Sequence, residues 1–207
     1  MQSPDRLSPQ AVHRLLKSRR SVRRFEPTPI PDDMLSRLLE SAAWAPSAHN
    51  RQPWRFAVLT GLSSRQALAE AMAAQLAVDL RADGVPEEAI EKDTGRSRQR
   101  LTGAAVLVVI CLSLVDMDTY PDPIRQQNER VMAIQSTAMA GQNLLLAAHA
   151  EGLGGVWMCG PLFCPDVVRS TLDLPADWEP QGVIALGYPA ETRTKTRESM
   201  ATRVIFR

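Results

Sequence analysis

The chain has 207 residues and a net charge of +1, from 24 basic and 23 acidic side chains. That balance excludes the simplest nucleic-acid protein, which is basic overall or over a large face, and 44% apolar with 23% charged residues excludes wholesale disorder and suits one domain over 1–207. Three cysteines exclude a disulfide scaffold, so Cys111, Cys159 and Cys164 read as reduced thiols of a cytoplasmic protein.

The longest apolar run, Ala104 to Val115, falls short of the ~20 residues that cross a bilayer, so no membrane association is expected. His13, Arg14 and Lys17 interrupt any leader-like apolar stretch. In chain order, Ser8-Pro9 opens a helix with a capping hydroxyl and a proline in the first turn, and Val12, Leu15 and Leu16 carry it to Ser18. Pro27, Pro29 and Pro31 make the next stretch extended. Asp32 and Asp33 start a second helix, in which Met34, Leu35, Leu38, Leu39, Ala42 and Ala43 form one apolar stripe that Pro46 ends.

A polar loop over 47–53 leads into a strand over 54–60. Residues 63–81 and 87–101 read as helices separated by Gly84 and Pro86, the second charged enough to be a solvated excursion. Residues 105–112 form a buried strand. From Glu129 to Ala150 runs a long helix apolar on most faces, which demands cover on most faces and points to a central helix or a subunit interface. Strands are expected at 156–159 and 181–188, with a helix at 165–172 between them. A polar segment over 190–200 follows, and Val204-Ile205-Phe206 is a candidate last strand, pairing within the chain or with a neighbouring subunit. Helices and strands interleave without regular βαβ alternation, so an α+β fold is expected.

Three constellations stand out. Arg19, Arg20, Arg23 and Arg24 lie within six residues around Ser21, and Lys195 and Arg197 form a second basic cluster near the other end. Guanidinium forks with a hydroxyl make a phosphate cradle; a solvated basic turn complementing the preceding helix C-terminus is the plainer reading. Pro46-Ser47-Ala48-His49-Asn50-Arg51-Gln52-Pro53 is a proline-stiffened loop whose polar side chains either read the edge of a polar ring or satisfy the turn's own backbone. In Gly152-Leu153-Gly154-Gly155, Gly152 caps the long helix, and the next two glycines exceed what a cap needs and permit close backbone approach to a flat ligand.

No metal-ligand spacing occurs among the histidines, cysteines and carboxylates, and there is no phosphate-binding P-loop or nucleophile elbow. His149 reads as a core or interface residue, and the four tryptophans as packing groups. Phosphate- and ring-recognition elements without a side-chain catalyst point to a cofactor that carries the reaction.

Together the segments Arg19 to Phe25, Ala45 to Trp54, Gly152 to Trp157 and Thr194 to Arg197, in this order, resemble the nitroreductase family of FMN-dependent oxidoreductases. The resemblance implies an α+β fold with a mixed sheet flanked by helices, in an intertwined homodimer with FMN shared between chains. It implies phosphate and ribityl contacts from Arg19, Arg20, Ser21, Lys195 and Arg197, and a place for Arg23 at the N1/O2 edge of the flavin. Pro46, Ser47, Ala48 and Asn50 would come from the partner chain, and Leu153, Gly154 and Gly155 would bring backbone donors to the N5 side.

The 129–150 helix, the helix starting at Cys164-Pro165 and the Trp178–Gly182 stretch resemble the branch holding the C-terminal FMN domain of the bifunctional ligase of the deazaflavin coenzyme. The implied activity is hydride transfer from NAD(P)H through FMN to a nitroaromatic, quinone or other conjugated small-molecule acceptor, by a ping-pong mechanism. A flavin- or deazaflavin-binding module without turnover, and a reductase of deazaflavin-coenzyme biosynthesis, are the alternatives. No metal and no nucleic acid are expected.

Overall fold

The computed structural model describes residues 8–207. Its elements are helices α1 (Pro9–Ser18), α2 (Asp32–Ala43), α3 (Leu62–Ala82), α4 (Glu87–Thr102), α5 (Pro123–Ala150) and α6 (Pro165–Thr171), and strands β1 (Trp54–Leu59), β2 (Val106–Leu112), β3 (Gly154–Met158) and β4 (Glu179–Gly187). The α+β architecture stands as expected, and the strands pair antiparallel in the order β1-β2-β4-β3. Among the described residues, parallel pairing is confined to an isolated bridge between Ser21 and Gly155. The α3–α4 pair explains the antiparallel β1–β2 contact: an out-and-back helical excursion returns the chain to the end of the sheet it left.

β2 sits in the middle of the sheet and is buried along its whole length. Leu107, Val109 and Cys111 face one core with Leu68 and Met72 of α3, Leu101 of α4 and Val168 of α6. Val106, Val108 and Ile110 face the other with Leu35 and Leu38 of α2 and Leu144 and Ala148 of α5. Two covered faces are why its sequence is unbroken apolar instead of alternating.

α5 begins six residues before the expected Glu129, because Asp122 accepts a hydrogen bond from the Arg125 amide at 2.9 Å and Pro123 fills the first turn. These polar opening turns carry no apolar period, so the capping pair is their only signal. α4 is less solvated than its composition implies, since Ile90, Thr94 and Leu101 are buried on one face. Val204, Ile205 and Phe206 join no strand among the described residues, and Phe206 is 93% exposed. No helix among the described residues is long and apolar enough to cross a membrane.

Candidate cofactor site

α1 ends at Ser18, and the next residues open onto a cleft of about 230 Å³. Arg19 and Ser21 line it on one side, with Ala138, Gln142 and Leu145 of α5 and Trp157 of β3 on the other. Backbone bonds hold the arginine segment in place. The Val22 amide donates to the Gly155 carbonyl at 3.2 Å, the Glu26 amide to the Tyr188 carbonyl at 2.9 Å, and the Ala190 amide to the Arg24 carbonyl at 3.0 Å.

The glycine pair makes this contact possible. A Cβ on Gly154 would lie 2.8 Å from the Val22 Cβ, and one on Gly155 would lie 2.9 Å from side-chain carbons of Leu145 and Leu186. The close approach that these glycines permit is therefore to the protein's own side chains. Gly152, at φ +80°, ends α5 as expected, and the Leu153 amide donates to the Ala148 carbonyl at 2.8 Å. The Leu153 amide is thus engaged within the chain.

The two basic ends of the chain meet beside Arg19. Arg20 donates from Nη2 to the Lys195 carbonyl at 3.2 Å and from Nη1 to the carbonyls of Lys17 and Arg19. Burial, then the charges of Arg197 and Arg20, push the Arg19 guanidinium below its ordinary pKa. Among the described residues, Arg19 Nη1 and Arg20 Nε are buried and find no hydrogen-bond partner. A buried, unsatisfied donor costs ~1–3 kcal/mol, more when charged, so this arrangement favours an incoming anion. A solvated basic turn does not account for donors removed from water.

Beside them, Ser18 Oγ lies 2.8 Å from His149 Nε2. Burial first, then Arg19 and Arg20, hold the His149 pKa below its ordinary value. The side chains of Ala138, Gln142 and Trp157 have no motif of their own; their signal is spacing, because positions 138, 142 and 145 share one face of α5.

Arg23 goes elsewhere. Its amide donates to Glu191 Oε1 at 2.8 Å, and the residue lines a second, separate cleft with Arg24, Arg96, Arg100 and Arg193. The loop after α2 stands apart too, and none of Pro46, Ser47, Ala48 and Asn50 lines the Arg19 cleft within one chain. His49, Asn50 and Gln52 adopt positive φ of 50°, 55° and 51°. Such backbone is costly away from glycine and is kept where surrounding structure enforces it. Here the Ser47 hydroxyl accepts from the Gln52 amide at 3.0 Å, and the Ala48 amide donates to Ser136 Oγ on α5 at 3.3 Å. Ser47 is therefore engaged in the turn itself.

Among the described residues no group of histidines, cysteines and carboxylates is placed to hold a metal ion. Fold and cleft together define an α+β protein with a cationic recess beside an aromatic wall.

The family model described as Nitroreductase family matches residues 16–188, and the chain belongs to this family. It is 30% identical over 212 residues to an NADH dehydrogenase of Thermus thermophilus, covering 91% of each chain. It is 31% identical over 191 residues to 5,6-dimethylbenzimidazole synthase of Rhodospirillum rubrum, covering 86% of this chain and 81% of the relative. Among solved structures, a candidate nitroreductase of Desulfovibrio desulfuricans in complex with FMN superposes with a TM-score of 0.73 at 27% identity, covering 98% of both chains.

Proposed function

We propose that the protein is an FMN-dependent oxidoreductase that passes a hydride from NAD(P)H to a conjugated small-molecule acceptor such as a nitroaromatic or a quinone. The observation that carries this reading is the meeting of Arg19 and Arg20 with Lys195 and Arg197, with Arg19 Nη1 and Arg20 Nε buried and unpartnered. A terminal phosphate of FMN suits those donors. Family membership and the FMN complex of the Desulfovibrio desulfuricans protein support the choice of cofactor.

FMN, when bound, supplies a flavin N5 that accepts and donates hydride. The chain's share is binding and orientation. Arg19, Arg20, Ser21, Lys195 and Arg197 hold the phosphate and ribityl end. Trp157, Leu145 and Ala138 form an apolar wall, and Gln142 offers the wall's one side-chain amide. Gly154 and Gly155 set the depth of the recess by letting Val22 pack directly on β3. Donor and acceptor using one recess in turn give ping-pong kinetics.

The working unit is a homodimer of single domains, in the cytoplasm, with free cysteines. Val131, Ile134 and Met139 of α5 are more than a third exposed in one chain, and Trp44 is 80% exposed. These apolar surfaces call for cover. A second copy also supplies the loop bearing Pro46, Ser47, Ala48 and Asn50, which does not reach the cleft of its own chain, and gives Val204-Ile205-Phe206 an edge strand to pair with.

Absorbance of the purified protein and anaerobic reduction by NADH and NADPH test the reading. A flavin spectrum that bleaches on either donor and returns with nitroaromatics, quinones or deazaflavins is expected, and the acceptor that restores it fastest identifies the substrate class. Protein that neither carries nor takes up FMN contradicts the reading, and bound FMN that neither donor reduces indicates a binding module.

A further inference from the structure

A second cleft, of about 390 Å³, is lined by Arg23, Arg24, Arg96, Arg100 and Arg193, with Phe25, Gln99 and Gly103. That volume lies in the range of small-molecule sites, ~300–1,000 Å³. Its walls come from three separate parts of the chain: the segment after α1, the last two turns of α4 and the segment after β4. Arg96, Gln99, Arg100 and Gly103 recur at helical spacing and present one face of α4 to the cleft.

Among the described residues, no acidic side chain lines it. Arg96 is paired with Asp93 at 3.3 Å and Arg193 with Glu191 at 2.8 Å. Among the described residues, the guanidiniums of Arg23, Arg24 and Arg100 make no ion pair. One cation in the last turn of α4 would complement that helix end. The three arginines left without a carboxylate, Arg23, Arg24 and Arg100, exceed that need and repel one another around one concavity, which an incoming anion relieves. Guanidinium forks favour a phosphate group over a single-point anion.

Arg24 lies five positions after Arg19, at most about 18 Å of extended chain away, so the backbone points from which these two residues line their clefts fall within the span of one dinucleotide. On the reading that the Arg19 recess holds FMN, we infer that the five-arginine cleft binds the 2′-phosphate at the adenosine end of NADPH and makes NADPH the preferred hydride donor. Arg96 and Arg100, on a helix that does not line the Arg19 recess, supply the discrimination; NADH, without that phosphate, gains nothing from them.

Two measurements test this on the full-length protein and on Arg96→Ala/Arg100→Ala. The first is equilibrium binding of adenosine 2′,5′-bisphosphate against 5′-AMP, which needs no turnover. The wild type is expected to hold the bisphosphate at least ~10-fold more tightly than AMP, and the variant to lose that margin. The second is the ratio of kcat/KM for NADPH to that for NADH, expected to exceed one and to fall at least ~10-fold in the variant. Equal binding of bisphosphate and AMP by the wild type, or an unchanged ratio in the variant, overturns the inference. Absence of bound FMN counts against the reading of the Arg19 recess alone, and the bisphosphate titration then decides the five-arginine cleft by itself. A folded variant is verified by circular dichroism, since both side chains are exposed.

Discussion

The Val22 amide donates to the Gly155 carbonyl at 3.2 Å, joining a segment that follows the first helix to a strand that lies more than a hundred residues further on. Everything at the candidate phosphate site hangs on this junction. It fixes the chain on either side of Val22, so that Arg19 and Ser21 line one cleft and Arg23 another.

Gly154→Ala should therefore damage the site through packing. The new Cβ meets the Val22 Cβ at 2.8 Å, a contact with the rigid root of a β-branched residue. Overpacking of this kind typically costs ~1–3 kcal/mol. Urea unfolding should show a loss in that range, with weakened FMN retention. Gly182→Ala, which drives a Cβ to 2.7 Å from the Trp157 indole, should destabilise similarly and change tryptophan fluorescence.

Arg19→Ala separates binding from folding. The side chain is partly buried with Nη1 unpartnered, and burial and neighbouring cations depress its pKa. Its removal should leave the stability of the cofactor-free protein unchanged or slightly higher, because a desolvated, repelled charge is gone. FMN affinity should fall at least ~10-fold, a charged hydrogen bond being worth ~1.5–3 kcal/mol. Thermal unfolding with and without saturating FMN measures both effects, and equal stabilisation of wild type and variant by FMN would place the phosphate elsewhere.

His149 gives the pH dependence. Burial, Arg19 and Arg20 lower its pKa from the ordinary 6.5. The unfolded chain therefore takes up this proton more readily than the folded one, and the favourable contribution, complete above about 6.5, is lost as pH falls below it toward the depressed folded value. His149→Gln should flatten the decline in stability between neutral and mildly acidic pH. Bound FMN should shrink the decline in the wild type, because a phosphate dianion offsets the two arginines that repel the imidazolium.

Thiol chemistry should be confined to one position. Burial pushes the Cys111 thiol up to about 12 and raises Cys164, while Cys159 is exposed. Iodoacetamide under native conditions should label Cys159 first, as mass spectrometry of peptides would show. Rapid labelling of Cys111 would contradict its burial in the sheet.

Much of the fold was legible because its signals are local. Ser8-Pro9 and Asp32-Asp33 announce helix starts, and the run over 105–112 announces a doubly covered strand. The missed opening of α5 lies in turns whose only mark is the Asp122 cap. At the site, guanidinium chemistry singled out Arg19 and Ser21. Gln142 and Trp157 could not be singled out the same way, because their place in the cleft depends on how α5 crosses β3. The separation of Arg23 from Arg19 was equally hidden, since it depends on where the backbone bridges Gly155.

The central claim is that the two ends of the chain close around one phosphate, and comparison of FMN with riboflavin tests it most directly. Fluorescence titration of wild type and of Arg19→Ala/Arg197→Ala with both flavins isolates the phosphate contribution. The wild type should bind FMN well over ~100-fold more tightly than riboflavin, and the double variant, which loses two charged contacts but keeps Arg20, Ser21 and Lys195, should cut that ratio at least ~100-fold while riboflavin affinity stays within a few-fold. Equal affinity of the wild type for the two flavins, or a ratio untouched by the double substitution, would contradict the account.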